Sequence, residues 1–424
     1  MKRVCLFVTG IALLLAGCGG GSGGASASSK GGHVSIVIWH GYTQAEATAI
    51  KVLTNEFNAM HPNITVTPQF YGNSDYALQK VLAAIAGGKP PDISYLYGSW
   101  AANIATNPTT VNLTPYINQF GWNDFWPAER HVATVNGKVI GIPALVDNLA
   151  LVYNKRLFAQ AGLAPPTANW TWNDFQNAAI KLTNQSKKQF GWAYVNDASE
   201  DTVWRYWALL WQAGGSILTP DGKHAAFDSP AGLSALTFLQ TLAAHNAIYL
   251  DNGSGNYLGL FTSGHIGMLY TGPWDLSSIA QGNQPYGVQI LPADLNHQTI
   301  SGPDNWVVFN NGSAQVKGAV EFLNWFTSPA IDLKWSLMTG DLPIRASVTK
   351  LPGYANYVKK YPGIGVWVRN LNNATQSRPV TTTYPKVSTV IGQMVQSVLL
   401  GKAQPQQALS QAGQQVNGIL AAPS

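Results

Sequence analysis

Aromatic rings set beside turn residues are the chemistry-bearing feature of this 424-residue chain. It holds 15 Trp, 17 Tyr and 14 Phe, and many of the Trp stand next to Gly, Pro or Asn rather than inside apolar runs. Examples are Trp39-His40-Gly41, Gly98-Ser99-Trp100, Gly272-Pro273-Trp274 and Asp304-Asn305-Trp306. Tryptophan joins a flat apolar face to one N–H donor. Sugars present the matching surface, with C–H patches on the ring faces and hydroxyls around the rim. Any one such Trp could equally plug a loop onto a core; as a group they favour ligand contact. Carboxylates accompany them: Asp147, Asp201, Asp275 and Asp304 all fall near aromatic loops. Two carboxylates facing each other across a sugar would make a glycosidase. Carboxylates that only accept hydroxyl hydrogen bonds would make a binder, and that reading is favoured here.

Other chemistries lack their residues. The eight His are isolated, with no pair one helical turn apart, so no metal site is expected. No Gly-x-Ser-x-Gly elbow occurs. The two cysteines are Cys5 and Cys18, which leaves the body of the chain without a disulfide or a thiol nucleophile. Basic residues are scattered, Lys187-Lys188 and Lys359-Lys360 being the longest runs, which argues against nucleic acid. No cofactor is expected. The charged fraction is only 11%, which suits an acidic external medium where carboxylates lose their charge.

The elements that must position these residues can be read from periodicity. Val34–Trp39 reads as a buried strand, followed by the loop His40-Gly41-Tyr42. Thr43 with Glu46 predicts a capping box opening a helix that carries Ala49, Leu53, Phe57 and Met60. Ile64–Phe70 predicts a second strand, and Leu78, Val81, Leu82 and Ile85 a second helix face. Pro91-Asp92-Ile93 leads into a short strand and the loop Tyr97–Trp100. Later, Ala150–Asn154 is extended, Thr171 with Asp174 opens a helix, and Trp204, Trp207 and Trp211 share one helical face. Trp207 and Trp211 are expected in the core. Ile266–Tyr270 is a buried strand running into Thr271-Gly272-Pro273-Trp274. Strand–helix alternation predicts an α/β fold with ligands beyond the carboxyl ends of strands.

The N-terminus carries an address. Lys2 and Arg3 precede an apolar run from Val4 to Ala16, and Leu15-Ala16-Gly17-Cys18 follows. This reads as a secretory signal over 1–17 rather than a span. The placement of Cys18 makes it resemble a bacterial lipoprotein signal, with Cys18 the lipidated first residue of the mature chain. Residues 18–32, almost all Gly, Ser and Ala after the cysteine, predict a flexible tether. Loss of Lys2 and Arg3 with the signal leaves 23 basic and 20 acidic residues.

With these segments in hand, the chain resembles family 1 extracellular solute-binding proteins of sugar ABC transporters, the group of maltose- and trehalose-type binding lipoproteins. The stretches that carry the likeness are Val34–Gly41, Glu56-Phe57 to Ile64, Pro91-Asp92-Ile93, Asn136–Pro143 into Leu151–Lys155, Phe261–Met268 into Gly272-Pro273-Trp274, Gly318–Ser328, and Gly340–Arg345. The resemblance implies a two-lobed periplasmic-binding-protein-like fold with an interlobe cleft and several hinge crossings. By analogy, lobe 1 is 33–146 plus 301–339 and lobe 2 is 147–300 plus 340–424. It implies ligand contacts from Trp39, His40, Tyr42, Tyr97, Ser99, Trp100, Asp147, Trp204, Trp274, Gly302, Trp306 and Arg345. Ser99 and Trp100 stand where the maltose subgroup tends to place charged groups, which counts against maltose itself. The implied function is a non-enzymatic, lipid-anchored, monomeric binder, outside the plasma membrane, that passes a mono- or oligosaccharide to an ABC permease. The alternatives are a glycerol-phosphate binder, for which Arg345, Lys155 and Arg378 look too dispersed, a secreted carbohydrate-active enzyme, and a lectin without transport.

Overall fold

The computed structural model describes residues 32–422. The signal, Cys18 and nearly all of the tether lie outside the described residues. Two five-stranded sheets define two lobes. The first uses β1 (Val34–His40), β2 (Ile64–Phe70), β3 (Ile93–Tyr97) and β4 (Ile142–Leu145). The chain then builds the second sheet from β5 (Ala150–Asn154), β6 (Phe190–Val195), β7 (Ile248–Asp251), β8 (Ile266–Thr271) and β9 (Tyr286–Gln289). It finally returns to the first with β10 (Asp304–Val308). The orders are β2-β1-β3-β10-β4 and β9-β5-β8-β6-β7. In each sheet three strands run parallel, and the strand next to them is antiparallel: β10 beside β3, and β5 beside β8.

Alternation fixes the faces. Along β1, Ile36, Ile38 and His40 are buried while Ser35 is exposed and Val37 and Trp39 are half-buried, as period 2 demands. β8 is buried at all six positions, the mark of a strand covered on both faces. Ile36, Leu53, Phe57, Trp306 and Phe322 belong to the first lobe's core, and Trp192, Tyr194, Trp207, Leu239 and Val395 to the second's. The C-terminal helices Tyr384–Leu399 and Pro405–Ala421 pack on the second lobe against Glu200–Gln212 and Pro230–Ala244.

The helix after β1 spans Gln44–Met60 with Thr43 as its extended N-cap, but the Thr43 side chain makes no capping bond. The expected capping box is therefore incomplete at its hydroxyl half. The one at Thr171 and Asp174 forms in full, opening Trp172–Leu182. Between the lobes, Val146 pairs with Leu342 and Asn148 with Ser301. The crossing segments thus run side by side, and the Thr299 hydroxyl donates to the Leu149 carbonyl at 2.8 Å.

Candidate functional site

A cavity of about 400 Å³ lies where the carboxyl ends of parallel strands from both sheets converge. Such a volume falls within the range of small-molecule sites. Its first-lobe wall holds Tyr42 and Glu46, which follow β1, and Tyr95 and Tyr97 on β3. Its second-lobe wall holds Glu200, Asp201 and Trp204 from the helix after β6, and Trp274 from the turn after β8. Asp147 and Gly302 come from the crossings, Asp304 from the start of β10, and Arg378 from the segment before the C-terminal helices.

Local sequence explains how Trp274 is held. β8 ends at Thr271, and Pro273–Asp275 forms a single 3-10 turn. The Asp275 carboxylate accepts from the Thr271 hydroxyl at 2.6 Å and the Tyr257 hydroxyl at 2.8 Å, which pins the turn. A Cβ on Gly272 would stand 2.0 Å from the indole, so only glycine lets the ring lie there. The exposed part of Trp274 lines the cavity, and its edge meets Trp204 at 5.6 Å and 60°. Trp204 sits one turn before Trp207 on its helix; Trp207 and Trp211 are buried in the core, as their spacing implied.

Three residues lining this space each carry a buried polar atom with no hydrogen-bond partner among the described residues: the Tyr42 hydroxyl, Asp147 Oδ1 and Trp204 Nε1. A buried polar atom without a partner costs about 1–3 kcal/mol, so these atoms suit a ligand that supplies the missing bonds. Burial, with the neighbouring Asp304, pushes the Asp147 carboxyl well above the usual range. Burial likewise raises Asp304 to about 6, opposed by the Arg378 guanidinium and the Tyr95 hydroxyl. Arg378 ties the lobes together. It lies 3.3 Å from Glu200 and 3.5 Å from Asp304, and its guanidinium stands over the Tyr97 ring at 5.0 Å. Glu200 also accepts from the Tyr384 hydroxyl at 2.7 Å.

Of the residues expected at the site, the structure brings Tyr42, Tyr97, Asp147, Trp204, Trp274 and Gly302 to the cavity wall. It places the other six elsewhere. Trp306 is fully buried on β10 within the first lobe's core, because Asn305 and Trp306 continue a strand rather than a loop. Trp100 is buried against Leu96, Ile104 and Val307, with Ser99 beside it in a short 3-10 turn. Trp39 donates to Gln69 at 3.1 Å near the surface. His40 is buried behind Tyr42, ring on ring at 5.7 Å, and burial with the nearby Lys51 lowers its pKa to about 4. Arg345 braces the first lobe: it donates to the Phe120 carbonyl at 2.7 Å, to Thr327, and stacks on Phe125 at 3.9 Å. Glu46, Tyr95, Glu200 and Arg378 line the cavity without having been singled out for it. Glu46 was read as a helix cap, and Arg378 sits in an irregular stretch with no periodic signal.

A two-lobed fold with a solute-sized space between the lobes is the architecture of a substrate-binding protein. The family model for bacterial extracellular solute-binding proteins matches residues 53–363, and the chain belongs to that family. It is similar to an ABC transporter solute-binding protein from Thermotoga lettingae, solved with α-D-tagatose: 28% identity, TM-score 0.83, covering 91% of this chain and 100% of that one. It is also similar to the cyclic α-maltosyl-1,6-maltose binding protein of Arthrobacter globiformis, at 28% identity and TM-score 0.76, covering 92% and 99%. Among curated relatives, the sn-glycerol-3-phosphate-binding periplasmic protein of Pectobacterium atrosepticum is 24% identical over 410 residues, 91% of each chain.

Proposed function

We propose that this protein captures a neutral saccharide between its lobes and delivers it to an ABC permease, without chemical change to the solute. The observation that carries this reading is the cavity itself: Trp204, Trp274, Tyr42 and Tyr97 supply ring faces, and three unpartnered polar atoms supply hydrogen bonds to hydroxyls. The sugars named for the two 28%-identical structures support it. Capture proceeds by hinge closure about crossings near residues 146, 300 and 340, with the lobes divided as the sequence suggested. We further propose that Cys18 carries the lipid that anchors a monomeric protein to the outer face of the plasma membrane.

The glycerol-phosphate reading has a curated relative in its favour. The cavity's charge speaks against it. Among the described residues its wall holds one cation, Arg378, against Glu46, Asp147, Glu200, Asp201 and Asp304. Arg378 is already engaged by two of those carboxylates. A thermal-shift and calorimetric screen of neutral sugars, polyols and glycerol 3-phosphate decides. A ligand at 100 times its Kd stabilises by about 2.7 kcal/mol. A response to glycerol 3-phosphate alone overturns the saccharide reading.

A further inference from the structure

The first turn of helix Gln44–Met60 lies against the second lobe. The Gln44 side chain accepts from the Ser278 hydroxyl across the cleft. Two residues on, Glu46 lines the cavity and bonds Asp341 on the crossing near residue 340. That crossing is itself seated on the second lobe. A Cβ on Gly340 would lie 3.4 Å from the Leu276 side chain and from the Pro273 carbonyl. The Tyr357 hydroxyl donates to the Asp341 carbonyl at 2.8 Å. Glu46 and Asp341 therefore meet in the seam between the lobes.

Two carboxylates cannot bond each other, because neither holds a donor. Asp341 is 1% exposed. Its Oδ2 accepts from Trp335 Nε1 at 2.8 Å, and its Oδ1 is buried with no donor among the described residues. The bond between Glu46 and Asp341 thus needs a proton held between them. The surroundings favour keeping it. Asp147 from the first crossing and Asp275 from the turn after β8 add negative charge beside Glu46. Tyr42 and Tyr357 adjoin the pair as neutral phenols. Cations on the elements packed here are engaged elsewhere: Lys334 by Glu56, Lys360 by the Leu337 carbonyl, and Arg378 by Glu200 and Asp304. Burial, and then Asp341, push the Glu46 carboxyl well above the usual range. Burial raises Asp341 to about 6, against the hydrogen bonds made to it.

We infer that Glu46 and Asp341 share one proton while the lobes are closed and part when it is lost, so that the closed cleft is favoured in acid and opens as pH rises. This goes beyond the saccharide reading and holds whatever the solute. Once apart, both carboxyls return to about 4, their ordinary value. A group with a raised pKa in one state favours that state below the raised value and loses the preference as pH climbs through it. With Asp341 at about 6 in the closed form, the closed-to-open ratio falls roughly tenfold between about pH 5 and about pH 8.

The test is small-angle scattering of the solute-free protein at those two pH values, on wild type, Asp341→Asn and Glu46→Gln. Each amide brings its own N–H donor to the remaining carboxyl and keeps the contact without a shared proton. The radius of gyration should grow from the lower to the higher pH in wild type and stay at the compact value in both variants. Circular dichroism checks that each variant keeps its helices, and either one alone suffices. A wild-type radius that does not change with pH overturns the inference. So does a wild-type response retained in folded variants, which would move the effect to other buried carboxyls such as Asp147 and Asp304. Folded variants that are expanded at both pH values overturn it as well. No solute enters the test, so each of these failures leaves the saccharide reading standing.

Discussion

Replacing Trp274 by Ala separates a ligand platform from a core plug. The indole is half-buried. One part packs on the second lobe's core and meets Trp204 at 5.6 Å; the rest lines the cavity. A sugar stacked on that face should draw about 1–3 kcal/mol from it, by analogy with base–aromatic stacking. Affinity should therefore fall roughly tenfold to a hundredfold. The stability cost should be smaller than for a core residue. A fully buried Trp→Ala loses about 3–5 kcal/mol, and less than that is expected where part of the ring is left open to the cavity. The turn itself should survive, since Asp275 holds it through Thr271 and Tyr257. Titration calorimetry with the sugar found by screening reads the first quantity, and urea unfolding without sugar reads the second. Unchanged affinity with a collapsed midpoint would refute the platform role.

Gly302→Ala should abolish binding with little change in fold, because its Cβ would lie 2.2 Å from Asp147 Oδ1 and 2.9 Å from the Trp204 ring. Full affinity in that variant would remove the hinge crossing from the site. Stability should rise on acidification. Burial lifts Asp304 and Asp341 to about 6 and Asp332 to about 8. A carboxyl with a raised folded pKa stabilises below its unfolded value, near about 4, and loses that contribution as pH rises through the folded one. His40, lowered to about 4, works the other way, costing stability as pH falls from its unfolded value of 6.5. Three carboxyls outweigh one imidazole, so the urea midpoint should be higher at about pH 5 than at about pH 8; a steady fall over that range refutes this. Cys18→Ser should release a folded protein from membranes, and an unchanged membrane fraction would end the lipoprotein reading.

What the sequence disclosed depended on whether the signal was local. Ile64–Phe70 is a strand with the bounds its alternation predicts, and Trp207 and Trp211 are core because a 3.6-residue repeat places them there. Gly302 to Trp306 reads from sequence as bordering the cleft, yet Trp306 lies in the strand Asp304–Val308, and the unbroken apolar run Trp306-Val307-Val308-Phe309 is the signal that marks it as buried. Aromatic-beside-turn spacing alone does not distinguish Trp274, half-open on the cavity, from Trp100, sealed beneath a loop. Arg378 reaches the cavity only because three segments distant in sequence meet at Glu200, Asp304 and Tyr97. No local pattern encodes that meeting.

The placement of β10 bears on the order in which the lobes are completed. The strand between β3 and β4 is Asp304–Val308, so the first lobe's sheet has a gap until that strand arrives. Domains generally fold as units from the N-terminus during synthesis. Here the N-terminal lobe cannot, because the whole second sheet is made before its missing strand. The first lobe's sheet is therefore completed only when about three-quarters of the chain has been synthesised. Strand order makes the first lobe, though begun first, dependent on chain made after the second sheet.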